Sequence, residues 1–376
     1  SSLIHMETHF TDAKTPGLRS ATYRHLRRHW QFINELQLFD IQHQKIYGIH
    51  VYGKEQSPSF LHATSLYHPD TVQRSLKHDG SGKEPGFKDP HTGTWDLRPH
   101  ASRIGRVNEA ALKTWQLVTE AEDWRSTPMV STVNSAATRT LSTLAAQTRI
   151  GSLDLQFSRG WDESIDRQKG RFIQRWGQSS WEDAILQGPH LYVSTPLYKQ
   201  PNETMRHQQD WTSTDLEALP TSVTPITQYK PAGDRDTYDR LYTHWNNSPA
   251  RDHYRIAWRR MAANTGERTL IPAIMPPGTA HVNPVYSGAW EDNISEYLPA
   301  LQAVTSTLLV DFLIRSRGRN DIHPTDFVKL PVIRPEAPFA GAIILRSLRL
   351  NCLTSAYADL WADCWNESFT TDSPIL

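Results

Sequence analysis

Prolines punctuate this chain so closely that a bundle of long helices is ruled out as its main architecture. There are 24 in 376 residues. Each fixes φ and removes a backbone donor, so the elements between them are short and joined by turns. The aromatic content, 13 Trp, 13 Tyr and 11 Phe, is too high for a chain that buries nothing. A mean hydropathy of −0.57 adds a polar, loop-rich surface. The length suggests roughly two or three domains, and the short alternating segments predict an α+β fold.

Several function classes drop out. No run of about 18 apolar residues is present, so no membrane partner is expected, and the first residues lack the basic-then-apolar pattern of a secretory signal. The chain starts without Met, which suits a processed or excised piece of something longer. Cys352 and Cys364 fall in one helical-looking stretch, where twelve residues span about 18 Å, beyond disulfide reach. They predict core thiols in a reducing, cytoplasmic protein. No HExxH or closely spaced His pair occurs among the 17 histidines, so no metal is expected. Forty basic residues balance forty acidic ones, which argues against a protein that grips DNA by net charge. The arginines are nonetheless clustered, in 19–28, 251–268 and 315–319.

Along the chain, Leu26, Trp30, Ile33 and Leu36 recur at helical spacing and predict a helix over 20–36. Residues 45–52 read as a strand and 78–100 as a polar loop. The segment 105–124 is mixed, with Leu112, Trp115, Leu117 and Val118 inside. Asn134 or Ser135 caps a helix to about 147. Segments 152–157, 171–176 and 191–195 read as hairpin strands. In 254–259, Tyr254, Ile256 and Trp258 alternate with Arg255, Ala257 and Arg259, predicting a strand with a buried face and an arginine face. Pro272 puts 269–275 on a sheet edge. A long helix is expected over 297–315, striped by Leu298, Leu301, Val304, Leu308 and Phe312, with Pro299 in its first turn, acids Glu291, Asp292 and Glu296 before it, and Gly318 as its stop. A short strand over 326–333 and a last helix over 340–366, burying Trp361 and Trp365, complete the reading.

The order of these pieces carries a resemblance. The helix 297–315, the basic turn at Arg315, Arg317 and Arg319, and Leu330-Pro331-Val332 resemble the end of the target recognition domain of adenine-specific (N6) DNA methylases. These are enzymes of type II or type IIG-like restriction-modification or phage-defence systems. Trp258-Arg259, residues 267–271, Pro276-Pro277-Gly278 and residues 186–190 match the same pattern upstream. Residues 32–39 and 45–52 resemble the last helix and strands of the methylase domain, so the likeness covers most of 20–366. It implies residues 1–125 as the end of a methylase domain and connector, 126–335 as the recognition domain and 336–376 as a C-terminal helical segment. Its implied partners are double-stranded DNA and a methylase catalytic domain or subunit.

Such methylases hold S-adenosylmethionine on a glycine-rich loop and flip adenine into an Asn/Asp-Pro-Pro-Tyr/Phe motif. Neither is found. Asn283-Pro284-Val285-Tyr286 lacks the second Pro and reads as a plain edge loop. The resemblance therefore implies a specificity module without catalytic residues or cofactor in this chain, S-adenosylmethionine belonging to the parent enzyme. Phosphate contacts are expected from Arg255, Arg259, Arg260, Arg268, Arg317 and Arg319, whose forks match phosphate oxygens. Base reading is expected from Arg167, Lys169, Arg171, Gln174, Lys199, Gln200, Asn202 and Arg206, types that bond base edges bidentately. Trp161, Trp176, Trp181 and Trp211 could stack on a displaced base or pack in the core. Two other readings stand beside this one. The first is a compact Mg-dependent nuclease or divergent methylase, for which Asp162, Glu163 and Asp166 with Lys169 give a faint acidic pattern. The second is a scaffold docking on a methylase subunit.

Overall fold

The computed structural model describes residues 1–376 except 13, 208, 263–265, 291–296, 318–320, 335 and 372–376. Helices and several small sheets make it an α+β fold. The chain divides into two compact units, Ser1–Gln147 with Arg315–Gly318, and Thr148–Ile314 with Arg319–Leu376.

The first unit is built on five strands: β1 (Ser2–Met6), β2 (Leu26–Ile33), β3 (Ile46–Tyr52), β4 (Ser59–Leu66) and β5 (Gly105–Asn108), in the order β1-β3-β2-β4-β5. β2 and β4 run parallel; the other neighbours are antiparallel. Around them lie α1 (Thr8–Thr11), α2 (Pro16–His25), α3 (Pro69–Ser75), α4 (Glu109–Thr119) and α5 (Ser135–Ala145). The helix expected over 20–36 is corrected: α2 ends at His25 and the chain turns directly into β2. β2 is the middle strand, buried on both faces at residues 29–32, so no polar alternation marks it, and its apolar spacing imitates a helix. Trp30 and Phe32 pack there with Tyr47, Ala63, Leu66 and Val72.

Side-chain caps start the two longest remaining helices of this unit. Asn108 accepts from Ala111 N at 3.1 Å for α4 and Asn134 from Ala137 N at 2.8 Å for α5, as the cap preference predicts. Leu112, Trp115 and Val118 face inward, but Leu117 points to solvent. Because α5 packs on α4, residues 126–147 belong to this unit by contact rather than beginning the next one.

The second unit contains β6 (Gln156–Ser158), β7 (Trp161–Asp162), α6 (Ile165–Gln168), β8 (Phe172–Gln178), β9 (Ile185–Leu186), β10 (Lys199–Pro201), β11 (Trp211–Ser213), β12 (Ile226–Pro231), α7 (Arg235–Leu241), β13 (His244–Trp245) and β14 (Ser248–Pro249). It continues through β15 (Arg255–Arg259), β16 (Pro272–Met275), β17 (Ala280–Asn283), β18 (Val285–Ala289), α8 (Tyr297–Thr305), α9 (Leu308–Ser316), α10 (Pro324–Phe327), α11 (Ala340–Asn351) and α12 (Ala358–Asp363). The main sheet is antiparallel, β16-β15-β18-β6, and β7 and β9 pair in parallel with β17. Three two-stranded ribbons, β8-β12, β10-β11 and β13-β14, complete the strands. Pro272 opens edge strand β16, where its missing N–H costs no ladder bond. Trp258 fills the centre, stacked on Phe327 at 4.0 Å, with Nε1 donating to Ile322 O at 2.9 Å.

Four further expectations in this unit are corrected. The helix over 297–315 is two helices, α8 and α9, meeting at 60°. The break turns Leu308 out to 72% exposure. Residues 191–195 form a turn closed by a Tyr192–Thr195 bridge, and 324–327 form the helical turn α10, with only an isolated bridge at Pro331. The last helix is interrupted after Asn351, which leaves Trp365 half exposed. Glu291, Asp292, Glu296 and Gly318 lie outside the described residues. Cys352 and Cys364 form no disulfide, and burial, with Cys364 beside it, pushes the Cys352 thiol up to about 12. No single described helix is long and apolar enough to cross a membrane.

Candidate nucleic-acid interface

Residues 255–258 of β15 are all buried and Arg259 is half-buried, so both faces of the strand are covered and the expected arginine face does not exist. Arg255 is completely buried. Its Nε donates to His253 O at 3.2 Å and its Nη2 to Thr279 O, and burial pulls its pKa below the usual guanidinium value. As a phosphate ligand Arg255 is therefore corrected: no part of it reaches the surface. The other expected phosphate binders are also engaged internally. Arg259 donates to Leu191 O. Arg260 reaches Asn283 Oδ1 at 3.2 Å and Asp321 at 3.4 Å. Arg268 donates to Ser306 O and pairs with Asp311 at 3.6 Å. In the first unit Arg317 donates to Val118 O at 2.8 Å. Arg319 lies outside the described residues.

The base-reading candidates occupy a different kind of surface. Asp162 starts α6 by accepting from Ser164 N at 3.1 Å and Ile165 N at 2.8 Å, and the short helix carries Arg167 and Lys169 into solvent. Arg171 leads into β8, which among the described residues pairs with β12 alone. After buried Phe172, residues 173–176 are all exposed. Period two sets Gln174 and Trp176 on one side of this ribbon.

The hairpin β10-β11 supplies Lys199, Gln200, Asn202 and Arg206. Its loop is organised by Asp210, which accepts from Asn202 Nδ2 at 2.7 Å, Thr204 Oγ1 at 2.6 Å and Arg206 N at 3.0 Å. Those bonds, Asn202's first, hold the Asp210 carboxyl down at about 2. Asn202 Oδ1 also accepts from Thr212 Oγ1 at 2.7 Å, so Asn202 is a hairpin brace at both ends of its amide. Trp176 Nε1 donates to Pro201 O at 2.8 Å, which fixes the indole against the hairpin. Together Trp176, Gln200, Asn202, Thr212 and Ile226 line a shallow cleft of about 340 Å³. The structure thus brings Gln200 and Asn202 together beside Trp176. It leaves Arg167, Lys169 and Arg171 on the preceding turn.

The remaining motifs have structural duties. Glu163 accepts from Tyr229 Oη at 2.5 Å and Gln187 at 3.2 Å, and Asp166 from Asp162 N at 2.7 Å. With Asp162 holding the turn before α6, the carboxylates of the faint acidic pattern are committed to turns. Asn283 ends β17, Pro284 makes the turn and Val285 and Tyr286 open β18, Tyr286 Oη lying 3.1 Å from His323. Trp161 is core, its Nε1 donating to Tyr238 Oη at 2.7 Å, and Trp211 packs edge-on against His190.

Sequence reasoning missed a second polar centre, in the first unit. His29, on β2, stands opposite His50 on β3 and His62 on β4, so three imidazoles line up across three neighbouring strands. Glu7, just after β1, completes the group. Its Oε2 lies 2.9 Å from His29 Nε2 and its Oε1 3.0 Å from His50 Nε2. Burial raises the Glu7 pKa, but His29 and His50 outweigh it and hold the carboxyl far below its usual range. His62 Nδ1 sits 3.0 Å from His29 Nδ1. Burial, with His29 beside it, lowers His62 to about 3. All four side chains are buried. The signal lay in strand register, and the helix assigned over 20–36 hid it.

No protein-family model matches the chain, and no curated protein matches it. Among solved structures the chain is similar to the type IIG restriction endonuclease BpuSI, with a TM-score of 0.30 and 9% identity over 97% of this chain and 48% of that one. The chain thus spans about half the length of that protein, and a likeness of this size carries no argument about either fold or function.

Proposed function

We propose that the second unit is a sequence-specific DNA recognition module, serving an adenine-specific DNA methyltransferase of a restriction-modification or phage-defence system. In this reading the methylase catalytic domain or subunit brings S-adenosylmethionine and the chemistry, and this chain brings specificity. The observation that supports it best is the β8 ribbon with its neighbouring hairpin. Gln174 and Gln200 make no side-chain hydrogen bond among the described residues, and they flank a half-exposed Trp176 held in a cleft. Amides of this kind bond adenine bidentately, and an exposed indole stacks on an unpaired base. Arg167, Lys169 and Arg171 on the preceding turn, Arg175 on β8, and Lys199 and Arg206 on the hairpin take the phosphate role that Arg255 cannot.

Fluorescence anisotropy against duplex DNA tests the proposal. With about five phosphates neutralised, log Kd changes with log salt at a slope of roughly 4 to 5. Absence of binding at low salt removes the reading. A methylase subunit that co-purifies with the chain while neither binds DNA through this surface favours the scaffold instead. Magnesium-dependent nicking would favour the nuclease.

A further inference from the structure

Glu7, His29 and His50 present one ligand atom each, all within 4.8 Å of one another and all buried. Two imidazoles and a carboxylate form the donor set that zinc-class ions take in three-protein-ligand sites. We propose that this group binds a divalent transition metal of the zinc class, tying the N-terminal strand β1 into the sheet of the first unit.

Three observations carry the assignment. Both histidines turn the same nitrogen, Nε2, toward the carboxylate, one on each oxygen. Bonds of about 2.0–2.2 Å place tetrahedral ligands roughly 3.4 Å apart, and the three ligand atoms already lie within 4.8 Å of one another, so no pair shifts by more than about 1.4 Å on binding. Next, His29 ligating through Nε2 carries its proton on Nδ1, which lies 3.0 Å from His62 Nδ1. That is the outer hydrogen bond which commonly fixes the tautomer and ring plane of a ligating histidine, and it makes His62 a positioning residue. Finally, the backbone is shaped for the carboxylate. A Cβ at Gly48, on β3 between the two elements, would overlap Glu7 Oε1 and the His50 ring, so the bare glycine lets Glu7 cross the strand. The ring of His5 stacks on His50 at 3.9 Å and covers the outer side. Among the described residues the set has three protein donors, which leaves a fourth position for water, as in open zinc sites.

The site is distinct from the proposed DNA surface, and neither reading depends on the other. The full-length chain, stripped with a chelator, is titrated with Co²⁺ and with Zn²⁺ while visible ligand-field absorption and thermal stability are followed. About one equivalent is expected to bind, with bands of four- or five-coordinate cobalt and a rise in Tm. E7Q, H29Q and H50Q are each expected to weaken binding at least a hundredfold, H62Q by about ten- to a hundredfold, and the exposed-site variant H91Q not at all. X-ray absorption on the Zn²⁺-loaded wild type is expected to give two imidazoles with oxygen and no sulfur, and it decides the matter even if the core variants fail to fold. A wild type without cobalt bands or a Tm response overturns the proposal. So do unchanged affinity in E7Q and H50Q, or sulfur in the zinc shell.

Discussion

Both units anchor buried arginines on main-chain carbonyls, and among the described residues the first adds a buried carboxylate set among histidines. In the first, Glu7 meets His29 and His50, whose nitrogens can ligate, and His29 in turn meets His62. In the second, arginines end on main-chain carbonyls: Arg255 on Thr279 O, Arg259 on Leu191 O and Arg251 on Glu182 O. A guanidinium stays charged at any working pH and has five fixed donors, so it suits permanent clamping of loops. An imidazole changes state near neutrality. A cluster of arginine in a sequence is therefore poor grounds for a binding surface, and scattered histidines are poor grounds for dismissing a site.

The strongest way to break this comparison is Arg255→Leu. It removes the donors to His253 O and Thr279 O and leaves a misfitting volume in the core, which together cost about 4 kcal/mol. Urea unfolding of the full chain measures it. A loss below about 1 kcal/mol would mean that the arginine centre is not a structural clamp.

A next effect comes from the neutral histidines of the second unit. Burial lowers His190 to about 4 and His281 to about 3. Their folded values lie below the ordinary histidine value of about 6.5, so the unfolded chain takes up protons first as the pH falls. Stability from these groups is complete above about pH 6.5 and is lost on acidification, down to about pH 4 for His190 and pH 3 for His281. The loss approaches ~3 kcal/mol for His190 and ~5 kcal/mol for His281. Urea midpoints at pH 7, 5 and 4 should fall in that order, and His281→Asn should flatten the slope. A midpoint constant over that range would refute neutral burial.

On the exposed side, Trp176→Ala or Gln200→Ala should weaken duplex binding about tenfold, the size of one good base contact. Lys169→Ala should lower the salt slope by about one without changing sequence preference. Arg206→Ala should act alike. If Arg259→Ala, refolded and intact, reduced affinity more than Trp176→Ala, the division between clamping arginines and a reading ribbon would be wrong.

The sequence disclosed some of this architecture and concealed the rest for definite reasons. Strand β3, the cap at Asn134 and the edge position of Pro272 follow from local chemistry and were legible. β2 was not, because a central strand buried on both faces loses its alternation, and Leu26, Trp30 and Ile33 then satisfy a helical template. β15 was hidden in a related way: alternation was present, but the strand is buried on both faces, so Arg255 went inside. The Glu7 cluster draws on positions 7, 29, 50 and 62, which only pairing register brings together. Of the reading surface, the exposed candidates were legible by type, whereas Asn202's commitment to Asp210 was not.

The smallest effect tests how far the arginine clamps shape the fold. Arg268 donates to Ser306 O, at the end of α8, and pairs with Asp311 in α9. Asp311 Oδ1 also accepts from Thr269 N at 2.7 Å and Leu270 N at 2.8 Å. These bonds hold the break between the helices and turn Leu308 outward. A continuous amphipathic helix would bury Leu308 in the same stripe as Leu301, and Leu308→Ser would then cost about 2–5 kcal/mol, like other core truncations. With the break in place, Leu308→Ser should change stability by no more than ~0.5 kcal/mol, while Leu301→Ala keeps the full core cost. Equal losses at the two positions would mean one unbroken helix, and the clamp through Arg268 would lose its purpose.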